Sequence, residues 1–444
     1  MNLGEVLTGV GAIVVTLAIL FVLVIVHELG HFVVARRFHV KVHEFGIGFP
    51  PRARILGRDR ETLYTLNWLP IGGFVRLEGE DGGDRSDPRS FASQSLGKRV
   101  VILAAGVAMN LLLAVVILVG VAALADPSVV LRFRDAGPGT LAADLGLSAG
   151  DSLEAVDGRR FSFFDGEDPT ADLAAKIGKQ AVITVGRADG SVVDRTVTLS
   201  SSAGIRIGLV QDDSPAAAVG LRAGDVILKI DGKPFGYLSR VEASNELRSH
   251  AGQPVTLSVQ HPDGSTTDVV AVLRPASDIG PDRGALGVRF DPGSIDAVAG
   301  PPVRRDALAA VQKGVARTAQ ALGLVLGALG SLVGTVASNP TQAPPVSGPI
   351  GITFFIGNLL QSYPPVFLLY MTGVLSANLA LINILPLPPL DGGRIAVITL
   401  QRALGNRISG SAERLAYFLG FVFFLGLLLW ISYFDVLRNI QGGP

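Results

Sequence analysis

His27, Glu28 and His31 stand inside VLVIVHELGHFVVARRF, residues 22–38, a run that otherwise reads as a membrane-spanning helix. Their spacing is H-E-x-x-H. On a helix, residues i and i+4 share a face, so the two imidazoles can address one metal ion. Glu28 then sits beside that metal, placed to take a proton from an attacking water. The plain structural alternative is a pair of buried histidines satisfied by polar neighbours. It weakens in a bilayer, where ionisable groups at a helix centre cost roughly 2.5–3.5 kcal/mol each and mark function where they persist. Two imidazoles with a carboxylate and a water suit zinc better than iron or copper.

A third ligand is required. His39 and His43 are also spaced by four, but their segment alternates and leads into strand-like runs such as ETLYTLNWL, so those side chains do not converge. The stronger candidate lies in NLALINILPLPPLDGGRI, residues 378–395. Pro386, Pro388 and Pro389 break the apolar helix there, and Asp391 follows with Gly392-Gly393 behind it. Asn378 and Asn383 project from the same helix and are candidate substrate-binding residues, able to hydrogen-bond a substrate backbone or the active-site water. For Asn378 the competing role is helix–helix hydrogen bonding.

The elements that must position these groups can be read from composition. The 444 residues exceed one ordinary domain. Basic and acidic residues balance at 38 each, which removes the electrostatic case for nucleic-acid binding. Hydrophobic content is 48% and charged content 17%, with the apolar residues bunched, as in a membrane protein carrying a soluble insert. The absence of cysteine excludes disulfides, thiolate ligands and thiol nucleophiles. Apolar stretches near 8–36, 100–124, 364–385 and 415–434 each reach the ~20 residues that a membrane helix needs. The first is a retained anchor rather than a signal peptide, because its apolar run is long and its basic residues follow it.

Lys/Arg bias sets the orientation. Arg36, Arg37, Lys41, Arg52, Arg54, Arg58, Arg60, Lys98 and Arg99 lie between the first two spans, and Arg394, Arg402, Arg407 and Arg414 between the last two. Both loops are expected in the cytoplasm, with the N-terminus, the middle region and the C-terminus outside. HELGH and Asp391 then reach similar depth. Within 303–338, the Lys/Arg-spaced first half reads as an interfacial amphipathic helix. The glycine-rich second half has the composition of a fifth span, but a fifth span would put the 386–414 loop outside, against its arginines. SNPTQAPPVSGPIG, 338–351, reads as a loop.

The middle region repeats itself. LAADLGLSAGDSLEAVDGRRF (141–161) matches PAAAVGLRAGDVILKIDGKPF (215–235), and the same offset pairs Gly178 with Gly252 and Asp189 with Asp263. Alternating runs with D-G turns make each copy a strand-rich module. The pattern GLxxGDxIxxIDG resembles PDZ domains, whose expected mode is strand addition with a backbone nest for a carboxylate. IGLV at 207–210 is the expected nest, with Gly208 and Leu209 as substrate-binding candidates; VLRFRD in the first copy lacks that glycine. The competing reading is a structural module without a ligand.

Taken together, HELGH and NILPLPPLDGG resemble the site-2 protease family of intramembrane zinc metalloproteases, in the bacterial regulator-of-sigma-E protease (RIP metalloprotease) branch with two PDZ domains. FGIGFPPRA (45–53), LPIGGFVRLEGE (69–80), AAGVAMN (104–110), VSGPIGI (346–352) and the span after GSAERLAYFLG extend the likeness over nearly the whole chain. The resemblance implies His27, His31 and Asp391 as zinc ligands, Glu28 as catalytic base, and Asn383 positioning the substrate or assisting the oxyanion. It implies a segment around 38–80 that folds back to the membrane and offers an edge strand to unwound substrate. It implies substrates already shortened by a site-1-type protease and filtered by the PDZ modules, namely single-span anti-sigma factors or residual signal peptides. The expected location is the bacterial inner membrane. Two departures stand out. Val107 follows Gly106 where proline is usual, and Arg394 follows LDGG where histidine is frequent.

The expected architecture is a polytopic α-helical membrane protein with four transmembrane helices, two inserted extracytoplasmic PDZ-like α+β domains and a membrane-associated β-hairpin. Its parts are helix 1 with HELGH (1–37), the hairpin region (38–98), helix 2 (99–125), PDZ-like domains at 126–201 and 202–291, and the amphipathic helix and loop (301–350). Helix 3 with LDGG (351–393), a cytoplasmic loop (394–414) and helix 4 (415–444) complete it. A non-catalytic PDZ-bearing scaffold with structural zinc is the alternative, and Glu28 opposes it, since a structural site needs no adjacent base. A transporter would show repeat symmetry among its spans, and spans 1–2 and 3–4 show none.

Overall fold

A computed structural model describes residues 3–80, 86–200, 202–280, 283–338, 341–404 and 410–440; Arg407, named above, lies outside them, as does position 201, the expected end of the first PDZ-like domain. The chain forms two compact units, Met1–Ala125 with Arg305–Pro444, and Asp126–Arg304.

Helix α1 (Leu3–Arg37) closes on Arg36 and Arg37, cations that suit a helix C-terminus. His39 takes the left-handed conformation (φ 61°) and turns the chain out of the helix. A folded-over hairpin follows, β1 (Val42–Asp59) with β2 (Thr62–Leu77), in which Glu44–Ile47 pair on one side with Leu63–Leu66 and on the other with Gly73–Arg76. His43 Nε2 on β1 hydrogen-bonds Glu78 at 2.8 Å, so His39 serves a turn and His43 a side-chain hydrogen bond. The hairpin base is apolar: Val42, Phe45, Val75 and Leu77 are buried in one core with Ala35 of α1 and Ile102 of α2 (Leu96–Leu124). Its outer part exposes Phe49, Ile55, Leu56, Trp68 and Leu69.

The second unit holds both repeats. The first contributes β3 (Pro127–Phe133), α3 (Leu141–Asp144), β4 (Ser152–Val156), α4 (Pro169–Ala174), β5 (Gln180–Gly186) and β6 (Val192–Thr198). The second contributes β7 (Ile205–Val210), α5 (Pro215–Ala218), β8 (Val226–Ile230), β9 (Lys233–Pro234), α6 (Arg240–Ser249), β10 (Pro254–Gln260), β11 (Thr266–Val272) and β12 (Val288–Phe290). Helices α3 and α5 and the strand pairs β4/β8, β5/β10 and β6/β11 each start 74 residues apart (141 to 215, 152 to 226, 180 to 254, 192 to 266), the offset of the sequence repeat. One strand breaks the sequential division. β13 (Ile295–Pro302), beyond the second copy, pairs with β3 and completes the sheet β13-β3-β4-β5-β6, so the second module, β11-β10-β8-β7-β12, is nested within the first. IDAVAGPP has no counterpart in the repeat, and only long-range pairing reveals its place. A shared core joins the modules, reinforced by Arg206 between Asp135 and Asp291 and by the Leu238 N–H donating to Asp144 Oδ2 at 2.9 Å.

The chain then continues through α7 (Ala307–Ser338), α8 (Pro349–Ser362), α9 (Val366–Ile384), α10 (Asp391–Ala403) and α11 (Gly410–Ile440). Among the described residues five helices are long and apolar enough to cross a membrane, Ala307–Ser338 being the one beyond the expected four. The two halves expected of 303–338 form one unbroken helix, because Gly323, Gly327, Gly330 and Gly334 recur at helical spacing and nothing crowds them. Its path is set by α2. A Cβ on Gly314 would fall 2.5 Å from Val119, and Ala321 packs with Ala114 and Ala377. On α9, Gly373 meets Leu118 and Ser376 Oγ donates to the Asn110 carbonyl at 2.7 Å. Both helices therefore run antiparallel to α2 and start at the end where α2 stops. The stretch between α2 and α9 therefore returns to the end of the bundle from which it left. At that end, Asp435 of α11 accepts the Gly348 and Gly351 N–H groups, each at 2.9 Å, and caps α8.

Asp144 generates a prediction. It is only 8% exposed, and burial pushes its carboxyl up to about 6 against the opposing Leu238 hydrogen bond. The folded state holds this proton more tightly than the unfolded chain. The contribution of Asp144 to the stability of the PDZ-like unit should therefore be fully present below about pH 4, be lost, by about 3 kcal/mol, as pH rises through about 6, and then level off. Asp144→Asn should slow amide exchange in β4 and β8 at pH 8 and leave it unchanged at pH 4. Hydrogen exchange on the full-length protein checks this; equal effects at both pH values would count against it.

Candidate active site

His27 and His31 occupy adjacent turns of α1, both buried, and Asp391 is the first residue of α10. Asp391 Oδ2 lies 2.9 Å from His27 Nε2 and 3.2 Å from His31 Nε2, and the two nitrogens are 3.1 Å apart. Donors around a tetrahedral ion with bonds of about 2.0–2.1 Å stand about 3.3 Å from one another, so this triangle has the right size. Among the described residues it is the one cluster of three or more such ligands.

The tautomers agree with that use. His31 Nδ1–H donates to the Ile102 carbonyl at 2.8 Å, leaving the lone pair on Nε2. His27 Nδ1 faces the Asn110 amide at 3.3 Å. If His27 ligates through Nε2, its Nδ1–H must donate, and the Asn110 oxygen is then its acceptor. The opposite orientation would leave Asn110 Oδ1 buried without a partner. Two imidazole lone pairs and a carboxylate oxygen then converge with no hydrogen between them. Such a cluster is repulsive until a cation joins it, so the residues present fit zinc.

Close backbone approach makes this possible. Gly106 of α2 backs the ligands: a Cβ there would lie 2.4 Å from His31 Nε2 and 2.7 Å from His27 Nε2. The LDGG glycines do the same for Asp391. A Cβ on Gly392 would fall 2.0 Å from the Ile384 carbonyl, and one on Gly393 2.5 Å from Leu387. Only without side chains can the start of α10 tuck under the end of α9.

Glu28 is half-buried beside the cluster, with His31, His27, Asp391 and Glu80 as its charged neighbours. The hairpin reaches it too, since a Cβ on Gly73 of β2 would stand 3.6 Å from Glu28 Cγ. Asn383 is in the last turn of α9, next to the carbonyls against which Gly392 packs. Asn378 lies more than one turn earlier with its Oδ1 buried and unpartnered. Two residues of the centre, Gly106 and Asn110, carry no role in the sequence reading beyond their place in AAGVAMN. The legible signal was a polar asparagine inside an otherwise apolar span.

The second module departs from expectation at Gly208 and Leu209. Both lie on β7, where Ile207, Leu209 and Val210 pair with β12 and the register shifts at Gly208. A cavity of about 370 Å³ lies on the other side of β12, between Ser244 and Leu247 of α6 and the loop Gly284–Gly287, with Leu209 contributing to its wall. The edge strand beside the helix comes at the end of this module, and GALGV (284–288) is the segment that carries the glycines there.

Gly106→Ala should push α1 from α2 at the ligands. Zinc affinity and peptide cleavage should both fall at least tenfold, within the range for altered ligand surroundings. Metal content and cleavage rate of the purified variant check this; full zinc with full activity would refute the close-packing account.

These features have counterparts in known proteins. The model of Peptidase family M50 matches residues 15–427. The regulator of sigma-E protease RseP of Salmonella typhimurium is 29% identical over 452 residues, covering 93% of this chain and 95% of that protein. The zinc metalloprotease RasP of Geobacillus kaustophilus is 27% identical over 447 residues, with the same coverage of 93% and 95%. Among solved structures, the PDZ domain of the SdrC-like protein from Listeria monocytogenes matches 21% of this chain and 93% of that one, at 29% identity and a TM-score of 0.18. Because the family match takes in HELGH, the nested modules and LDGG alike, the chain belongs to Peptidase family M50, and it is a multi-pass site-2-type zinc metalloprotease of regulated intramembrane proteolysis.

Proposed function

We propose that His27, His31 and Asp391 hold the zinc and that Glu28 is the general base for hydrolysis of a peptide bond in or beside a membrane-spanning helix. The observation that carries this is the convergence of three lone-pair donors within 3.2 Å, flanked by a carboxylate that is not one of them. Bound zinc supplies Lewis acidity and lowers the pKa of a water toward ~7. Glu28 accepts the proton as that water adds to the scissile carbonyl, and returns it to the leaving amine. Asn383 donates to the developing oxyanion; Asn378, further up the helix, contributes to substrate binding. A helical substrate must first unwind, since its carbonyls are engaged in the i→i−4 ladder. Among the described residues, Gly73–Leu77 of the hairpin pair only with Val42–Ile47, which leaves an edge with which such a segment can pair, and Gly73 sets it against Glu28.

The substrates are single-span membrane proteins of the anti-sigma type, or residual signal peptides, trimmed outside by a site-1-type protease. The sigma-E regulator names of the relatives support the first class. The PDZ-like modules screen trimmed ends through the groove at β12. The termini and these modules lie outside an inner membrane, with the hairpin and α10 at the cytoplasmic face. Arginine bias favours this, and so does the return of the chain between α2 and α9 to the end of the bundle from which it left.

Full-length protein in vesicles, given a tagged single-span substrate truncated outside, tests the assignment. Glu28→Gln should keep its zinc and lose at least ~10²-fold in rate. Asp391→Asn should lose zinc, and Asn383→Ala should lose about 10²-fold in kcat. Undiminished cleavage by Glu28→Gln would sink the mechanism.

A further inference from the structure

Arg394 occupies a position that helix physics does not favour. It lies in the first turn of α10, where the partial positive charge of the helix N-terminus repels a cation. Three residues after Asp391, it projects from the same face one turn on. Its side chain is mostly withdrawn from solvent, 36% exposed, so it requires a partner. That partner is Glu80, at the turn that closes the hairpin strand β2. One Glu80 oxygen accepts from Arg394 Nη1, and the other accepts the Leu77 N–H at 3.3 Å. The carboxylate thus ties the end of β2 to the helix that begins with Asp391. Below it, Val75 and Leu77 share a core with Ile398, and Ile395 packs against it. Apolar packing brings hairpin and helix together without defining how far one slides along the other. A directed ion pair does define it.

We propose that Glu80 and Arg394 form a clasp that fixes the hairpin in register over the Asp391 end of α10, making both positioning residues for peptide-bond hydrolysis. Glu80 is close enough to act electrostatically on Glu28, and Asp391 on Arg394, so the clasp borders the reacting region while touching none of the three donors. Hairpin and ligand helix are joined by no covalent connection shorter than three hundred residues. A small slip here moves the strand relative to Glu28, and displacements of about 1 Å at such distances from the chemistry cost up to ~10²-fold in rate. The substrate side of this proposal rests on the strand-pairing role given to the hairpin above.

The test uses the full-length protein in vesicles and two single-span substrates, one with a stable helix at the cleavage site and one carrying a Gly-Pro pair there. Glu80→Gln and Arg394→Gln should each lower kcat about tenfold on the stable helix, with unchanged zinc content and a smaller effect on KM. The reversed pair, Glu80→Arg with Arg394→Glu, should recover to within about threefold of the native rate, which a merely structural loss would not. A loss smaller on the Gly-Pro substrate ties the clasp to strand pairing. An equal loss with rescue keeps the clasp and removes the strand-pairing role. Single variants within twofold of the native rate, rates that track zinc loss, or a reversed pair as slow as the singles would overturn the clasp.

Discussion

Three electron-rich atoms about 3 Å apart in an apolar interior repel one another unless a proton or a metal ion lies between them, and the surrounding bundle brings them together all the same. His27 and His31 come from one helix, but Asp391 comes from the far end of the chain. Bringing it in requires α10 to start beneath α9, and hence two consecutive glycines. Bringing the imidazoles to the right place requires α2 to lie against α1 with Gly106 behind them and with Ile102 and Asn110 fixing their tautomers. Ser376 then binds α9 to the Asn110 carbonyl, so the same residue links the ligand shell to the helix that leads to LDGG. Small residues and intrahelical polar groups are the usual means of packing helices in lipid. Here they are concentrated where the ligands converge.

A protease inside a membrane faces a second requirement, because its substrate is folded by the same rule that folds the enzyme. Backbone polar groups in lipid must be paired. A substrate leaving its helix needs replacement partners at once, and only an unpaired strand edge supplies them in sequence-independent form. The hairpin has such an edge beside Glu28. Its base is anchored in the core of α1 and α2, while its outer part exposes Phe49, Ile55 and Trp68 alongside Arg52, Arg54 and Arg58.

What could be read in the sequence follows from the range of the interactions. HELGH was legible because i,i+4 geometry is local, and Asp391 because prolines ended a helix at the matching depth. The repeat was legible down to its offset, since α3/α5, β4/β8, β5/β10 and β6/β11 are copies of one pattern. β13 was not, because a strand that joins a sheet opened more than 150 residues earlier carries no local mark of its partner. The pairing partner of IGLV has the same root: IGLV resembles an edge strand, but β12, far downstream, pairs with it. The continuity of α7 was hidden by its glycines, which penalise an isolated helix by about 1 kcal/mol each yet are tolerated where nothing replaces helical hydrogen bonding.

α7 stands between the two arginine-bearing stretches of the chain, so its path bears on whether they lie at the same end of the bundle. Counting apolar helices cannot answer that, because α7 satisfies the same length and composition test as the others. Contact register can. Gly314 meets Val119 and Ala321 meets Ala114, so α7 enters beside the last turns of α2; Gly373 and Ser376 of α9 meet Leu118 and Asn110 in the same falling order. Asp435 returns the start of α8 to the end of α11 opposite α10. However deeply α7 dips, the chain must come back before α9 begins. The arginines of α10 and those between α1 and α2 therefore stay at one end of the bundle, as the charge bias requires, and the two observations rest on independent physics.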